Sequence, residues 1–524
     1  MIHLIQTFEK LFLKDYFLLG SLVLLGIIIR FIFFPYNVPI TLDGIDYFMY
    51  GIDLSRGNVL PEGYLINKFG WGVFLSPFFS LANNFELIEL MNLQRVVSII
   101  ISTITVFPLY LIIKKFFEYK IALVSSALFI FNPKIIENSL LGISDPLFLF
   151  LIFSSIGMVI TNKSKLQILG FFVAALGFFV RQEGIFLVFI LIIILLINNY
   201  SKNKIFYNLN NKIRKNLLRI LYGIIIFSLT LLLINYPINL QNEQISIFDP
   251  ILDYFDLENI ELNQNLEENK TQNIIQIGLT DGIITFVKFF IWILFPNLIV
   301  FFLISIIKIN RNFSYKKLIV IIISLIFSFT PLMIYTRNFE DVRYIFPILL
   351  PTLIFSCISI NFVYTKINNK KLILLLIIPI VISSSIFYQL TVDDYNYFYE
   401  LSVASDFLIN NSDGVNAFKD SRFIRSSELK YYWPELPEIG NNLRADWTFK
   451  RFSTDEYNNL ETFVKENSEK GLTHILVKDK NSDIFFVDLL KNQNYPFLEK
   501  VFDSRDLNFK NKILIFKINK DKLN

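Results

Sequence analysis

The sequence predicts a polytopic α-helical membrane protein, with about eleven transmembrane helices and a C-terminal extracytoplasmic α/β domain. Three observations predict it. Hydrophobic residues make up 54% of the 524 positions, and the mean hydropathy of +0.51 lies far above that of soluble globular chains. Many apolar runs reach about 18 residues, enough to cross a bilayer at ~1.5 Å per residue. The connections between these runs alternate in charge, and the composition changes character near residue 391.

In chain order, the apolar runs predict spans over 16–34, 95–113, 121–133, 146–160, 166–180, 184–198, 217–235, 283–307, 318–335, 344–364 and 372–390. The first is read as a retained span, because no small-residue cleavage site follows it. Lys114, Lys115 and Lys120 flank one turn, and Lys163 and Lys165 another. Lys202, Lys204, Lys212, Arg214 and Lys215 fill a third, Lys308, Arg311, Lys316 and Lys317 a fourth, and Lys366, Lys370 and Lys371 a fifth. If the spans alternate, all five share one face, which the positive-inside bias makes cytoplasmic. The opposite face is acidic: the loop 236–282 holds Glu243, Asp249, Asp253, Asp256, Glu258 and further carboxylates against Lys270 alone. The apolar run 70–82 is short and reads as a re-entrant or interfacial helix, since a span there would invert the charge pattern.

The expected division is a transmembrane domain over 1–390, with outer loops 35–94 and 236–282, and an extracytoplasmic domain over 391–524. In the latter, β-rich runs (Leu472 to Val477, Ile513 to Ile518) alternate with amphipathic helical stretches (Asp455 to Asn467, Ile484 to Lys491). The N-terminus is expected in the cytoplasm and the protein in the plasma membrane, as a multi-pass chain. The formal charge of +4 says less than where the Lys and Arg fall, and no nucleic-acid partner is expected. A single cysteine, Cys357, excludes an intramolecular disulfide, and two histidines, His3 and His474, exclude a His-rich metal cage.

The topology gathers charge at the outer ends of the spans. Asp43, Asp46, Asp145, Glu183 (with Arg181 in RQEG), Arg337 and Arg343 come from separate regions yet fall at one depth. Ionisable groups beside hydrocarbon are costly unless they pair or work. Asp43, Tyr47, Gly51 and Leu54 recur at helical spacing, and Gly57 follows where a helix-ending glycine belongs. Asp43 would then stand at the N-terminal end of a short helix, where the dipole favours a carboxylate.

That pattern, D-x-x-x-Y-x-x-x-[AG]-x-x-[LM]-x-x-G just after the first span, resembles the first outer loop of the GT-C membrane glycosyltransferases. The closest likeness is to the lipid-linked-sugar-dependent enzymes of the protein mannosyltransferase and aminoarabinose transferase type. The resemblance covers about 16–390. It implies that Asp43 is the catalytic carboxylate, and that Asp145, in SDPLF, matches the family's second outer acidic position. Arg343, Tyr344, Pro347 and Pro351 resemble the family's late arginine–tyrosine segment. Lys68 resembles a lysine that meets the donor phosphate, although the family's Lys-Pro-Pro is Lys-Phe-Gly here. The implied partners are a polyprenyl-phosphate sugar donor, a protein, lipid or glycan acceptor, and the bilayer itself. The implied reaction is an inverting transfer at the extracytoplasmic face.

The residue chemistry fits this independently. Such a transfer needs a base for the acceptor, here Asp43 supported by Asp46 and Asp145, and cations for the departing phosphate. Lys68, Arg337 and Arg343 with Tyr344 supply the latter, and Arg181, Glu183 and Tyr47 support the site. No cofactor is firmly implied. Two outer carboxylates could hold a divalent cation, but Asp43 and Asp46 lack a D-x-D spacing. The alternative is a polytopic transporter or lipid flippase, which would place charges near the midplane and show inverted repeats. The sequence shows neither.

Overall fold

The structure, a computed structural model, describes residues 2–41, 43–57, 69–82, 84–161, 163–200, 209–241, 279–308, 315–336, 340–367, 372–392, 395–411, 415–417, 423–433, 457, 459–478, 489 and 495–523. In order the helices are α1 (Ile2–Ile32), α2 (Asp43–Ser55), α3 (Phe69–Leu81), α4 (Leu87–Ile104), α5 (Val106–Lys114), α6 (Tyr119–Ile130) and α7 (Pro133–Leu140). There follow α8 (Asp145–Ile160), α9 (Ser164–Val180), α10 (Ile185–Tyr200), α11 (Leu209–Gln241), α12 (Leu279–Leu294), α13 (Asn297–Lys308) and α14 (Tyr315–Tyr335). A 3-10 stretch, Val342–Ile348, runs into α15 (Leu349–Lys366), and α16 (Ile377–Thr391), α17 (Tyr395–Asn411), α18 (Ile424–Tyr432) and α19 (Leu460–Glu469) complete the set.

The chain forms two compact units. The first takes residues 1–34, 65–71 and 95–391; the second takes 35–64, 72–94 and 392–524.

Helices occupy every predicted span, but fewer than eleven meet the length and hydropathy of a full crossing. Four do so among the described residues: Leu87–Lys114, Asn216–Ile234, Val342–Lys366 and Ile373–Asn411. The number rises to six if the pairs Tyr119–Ile130 with Pro133–Leu140 and Thr280–Leu294 with Asn297–Lys308 each count as one. The remaining predicted spans are shorter apolar helices, such as Asp145–Ile160 and Ser164–Val180. The predicted span 283–307 is bent: α12 and α13 meet at 107° around Pro296, whose missing N–H interrupts the helical ladder. The span predicted over 121–133 also turns, by 52°, into α7. There Asn132 accepts from the backbone N–H groups of Lys134 (3.0 Å) and Ile135 (3.3 Å) while Pro133 opens the helix, a start signal that ends one helix and begins another.

Within the first unit, a buried charge sits in the last turn of α1. Arg30 has no exposed surface, and its guanidinium donates to Ser139 Oγ (2.9 Å), the Gly26 carbonyl (3.0 Å) and Ser102 Oγ (3.3 Å). A buried guanidinium is tolerable only when its donors are occupied in this way.

Within the second unit, α2 begins at Asp43, and Gly57 ends its last turn at φ 90°, as the spacing predicts. α2 crosses α3 at two glycines. A Cβ on Gly51 would stand 2.9 Å from the Phe79 ring and 3.1 Å from the Gly72 carbonyl oxygen, and one on Gly72 would stand 2.6 Å from the Tyr50 ring. α3 has 13 residues, about 20 Å at 1.5 Å per residue, too short for a ~30 Å core. Leu75 and Phe79 are buried, whereas Val73, Phe74, Phe78 and Leu81 are exposed, together with Ser80.

The C-terminal part of this unit carries four strands: β1 (Val415–Ala417), β2 (Leu472–Lys478), β3 (Leu498–Asp503) and β4 (Ile513–Ile518). Their order is β1-β2-β4-β3, with β1 parallel to β2 and the other pairs antiparallel. The period of two divides β4 between two cores. Leu514, Phe516 and Ile518 join Phe463 and Val464 of α19, while Ile513 and Ile515 join Leu401, Ala404 and Leu408 of α17. Both β-rich runs named from the sequence are strands. The predicted helix at 484–491 apart from Leu489, residues 201–208 of the loop 199–216 and residues 242–278 of the loop 236–282 lie outside the described residues.

Candidate active site

Asp145 is the first residue of α8, only about 2% exposed, where the helix N-terminus favours its negative charge. The loop that delivers it is held by buried donors. Arg95 Nε donates to the Leu140 carbonyl (3.0 Å), and Trp71 Nε1 donates to the Gly142 carbonyl (2.9 Å). Gly142 adopts φ 73°, a left-handed turn that a side chain would strain.

Arg181 follows α9 in extended conformation and reaches back across that loop. Its Nη1 donates to Asp145 Oδ1 (2.5 Å) and its Nη2 to Glu183 Oε1 (3.0 Å). The flat faces of the guanidinium lie over the Tyr344 ring (5.1 Å) and the Phe148 ring (5.8 Å). Burial alone would lower the pKa of Arg181; the carboxylates of Asp145 and Glu183 outweigh it and hold the group well above its usual value.

Arg343 enters from the 3-10 stretch. Asp341 caps that stretch, accepting from the Arg343 backbone N–H at 2.9 Å. Arg343 turns its side chain onto the same carboxylate, with Nε 2.6 Å and Nη2 2.5 Å from Asp341 Oδ2. Its Nη1 stands 4.0 Å from Asp145 Oδ2, an oxygen that accepts no hydrogen bond among the described residues. These groups rim a small pocket. Its walls are apolar: Phe148 and Leu149 of α8, Phe327 of α14, and Phe346 and Pro347 beside Arg343.

The structure thus brings together five residues named from the sequence: Asp145, Arg181, Glu183, Arg343 and Tyr344. Asp43, Asp46 and Tyr47 belong to the second unit. There Asp43 opens α2, Tyr47 is buried, and Asp46 lies 3.7 Å from Arg425 of α18. Lys68 and Arg337 lie outside the described residues. Among the described residues, no group of three or more His, Cys, Asp or Glu side chains is arranged to hold a metal ion. Sequence reasoning passed over Asp341. An aspartate two residues before an arginine, at the entry to an apolar run, carries the signature of a helix N-cap and could have been found by it.

Residues 89–232 match the family described as dolichyl-phosphate-mannose-protein mannosyltransferase. The oligosaccharyltransferase of Archaeoglobus fulgidus, solved with zinc and sulfate, superposes over 87% of this chain and 68% of its own at a TM-score of 0.50 and 10% identity. The chain has the GT-C fold. ArnT from Cupriavidus metallidurans, bound to undecaprenyl phosphate, aligns over 96% of this chain and 98% of its own, at 8% identity and a TM-score of 0.49. No curated protein sequence matches the chain. The family match covers residues 89–232, and the likeness to the oligosaccharyltransferase is one of fold.

Proposed function

We propose that this GT-C chain transfers a sugar from a polyprenyl-phosphate donor to an acceptor at the extracytoplasmic face of the plasma membrane. The observation that carries the reading is the pocket of the first unit: two guanidiniums at its rim and phenylalanines on its walls. An arginine fork suits a phosphate, and apolar walls suit the first isoprene units of the lipid. The name of the matched family, which carries a dolichyl-phosphate sugar, supports the donor class.

In this reading a hydroxyl or amide of the acceptor attacks the anomeric carbon. The new bond to that carbon forms as the bond to the phosphate oxygen breaks, and the lipid phosphate leaves with the electron pair. One displacement inverts the configuration. The acceptor proton passes to Asp43, at the start of α2. Asp46 orients the acceptor. Arg343 and Arg181 stabilise the charge growing on the phosphate, with Tyr344 packed against Arg181 and Lys68 and Arg337 as further cations.

About eleven spans place the N-terminus in the cytoplasm and 391–524 outside. α3 lies in the interface, its exposed apolar face toward lipid. The test is release of polyprenyl phosphate from a panel of lipid-linked sugars by purified protein in nanodiscs. Release that depends on the protein supports the reading. Uptake or flipping of the lipid without cleavage would replace it with transport.

A further inference from the structure

The charges around the pocket do not favour an incoming anion as they stand. Among the described residues, three carboxylates (Asp145, Glu183, Asp341) face two guanidiniums (Arg181, Arg343). Arg181 is committed to both Asp145 and Glu183, and its guanidinium lies near the Tyr344 and Phe148 rings. Arg343 is the more exposed of the two, at 24% against 14%. The edge it would offer to a phosphate, Nε with Nη2, is taken by Asp341.

We propose that Asp341 competes with the donor phosphate for Arg343 and so sets the site's affinity for the lipid low enough for the spent carrier to leave. The inference rests on the polyprenyl-phosphate reading above. Asp341 is the fixed partner of the pair. Its Oδ1 accepts from the Arg343 backbone N–H, and its own carbonyl accepts from Tyr335 Oη at 2.9 Å. The guanidinium, on its long side chain, is the partner able to swing. Beyond it waits Asp145 Oδ2, 4.0 Å from Nη1 and without a hydrogen bond among the described residues. A phosphate entering the pocket takes the Nε–Nη2 edge from Asp341, and each binding event carries the loss of that charge-assisted pair. When the sugar has gone, Asp341 reclaims the arginine and the lipid phosphate is displaced. A site with only cations at its rim would hold its product as tightly as its donor.

The inference makes an uncommon prediction, a gain of affinity on removing a charge. Asp341→Asn keeps a good helix cap and removes only the negative charge. Protein in nanodiscs is titrated with undecaprenyl phosphate and, as a control, with undecaprenol. The Asn variant should bind undecaprenyl phosphate about five- to ten-fold more tightly than wild type, on the scale of one charge-assisted bond relieved of competition. Its affinity for undecaprenol should not change. On an Arg343→Ala background the same substitution should have no effect, because the contested guanidinium is gone. Wild-type binding with no gain in Asp341→Asn overturns the inference and leaves the donor reading standing. An equal gain for undecaprenol, or in the Arg343→Ala background, also overturns it. Failure of every variant and of wild type to bind undecaprenyl phosphate removes both.

Discussion

Arg181 and Asp145 are 36 residues apart in the chain and meet at 2.5 Å, with side-chain exposures of 14% and 3%. So dry a pair is stable only while both members are present. Asp145→Ala leaves a buried guanidinium short of one partner and should lower stability by about 3 kcal/mol or more. The double change Asp145→Leu with Arg181→Met removes both charges and should recover a large part of that loss. Thermal unfolding in one detergent, wild type against single and double variants, measures both. A double variant less stable than the single would show that the pair contributes net stability.

At the rim of the pocket, Arg343 distinguishes a phosphate fork from a membrane anchor. Lysine still snorkels but presents a point charge. Arg343→Lys should therefore weaken undecaprenyl-phosphate binding about ten-fold, while an anchoring role would leave the titration unchanged.

Asp43 opens α2 and is partly exposed, so its removal costs little structure. Asp43→Asn keeps the size and loses the base; turnover should fall by about 10²-fold or more. Expression and unfolding temperature should match wild type. Transfer at the wild-type rate would take Asp43 out of the chemistry. Asp46→Asn should reduce turnover less.

The crossing of α2 and α3 has no room for a methyl group. Gly72→Ala puts a Cβ 2.6 Å from the Tyr50 ring and 3.2 Å from the Tyr47 carbonyl oxygen. Forcing it in should cost about 1–3 kcal/mol, seen as a lower unfolding temperature. An unchanged temperature would mean that the two helices part freely.

Orientation is open to labelling. Cys357 is buried and can be replaced. In single-cysteine variants, an impermeant reagent added outside should label position 461, which is exposed on α19, and not position 204. The reverse pattern would invert the topology.

The sequence by itself determined the helical membrane architecture, because hydropathy and charge sidedness are local quantities that neighbours along the chain already express. It determined the start of α2 at Asp43 and its end at Gly57, since capping and positive φ are set by a few adjacent residues. β2 and β4 were legible for the same reason, as short apolar runs with strand composition. The sequence also named Asp145, Arg181, Glu183, Arg343 and Tyr344 among its candidate site residues. Only the tertiary structure decided which of them touch: Arg181 bridges Asp145 and Glu183, whereas Arg343 turns back onto Asp341. It also decided the 107° bend between α12 and α13, where continuous hydropathy reads as one straight span. The physical reason is the range of the forces. A hydropathy run records how much apolar surface a segment offers, but not the direction in which packing turns it. A list of charges at one depth cannot rank partners, because a buried guanidinium takes the carboxylate that the fold brings within 3 Å.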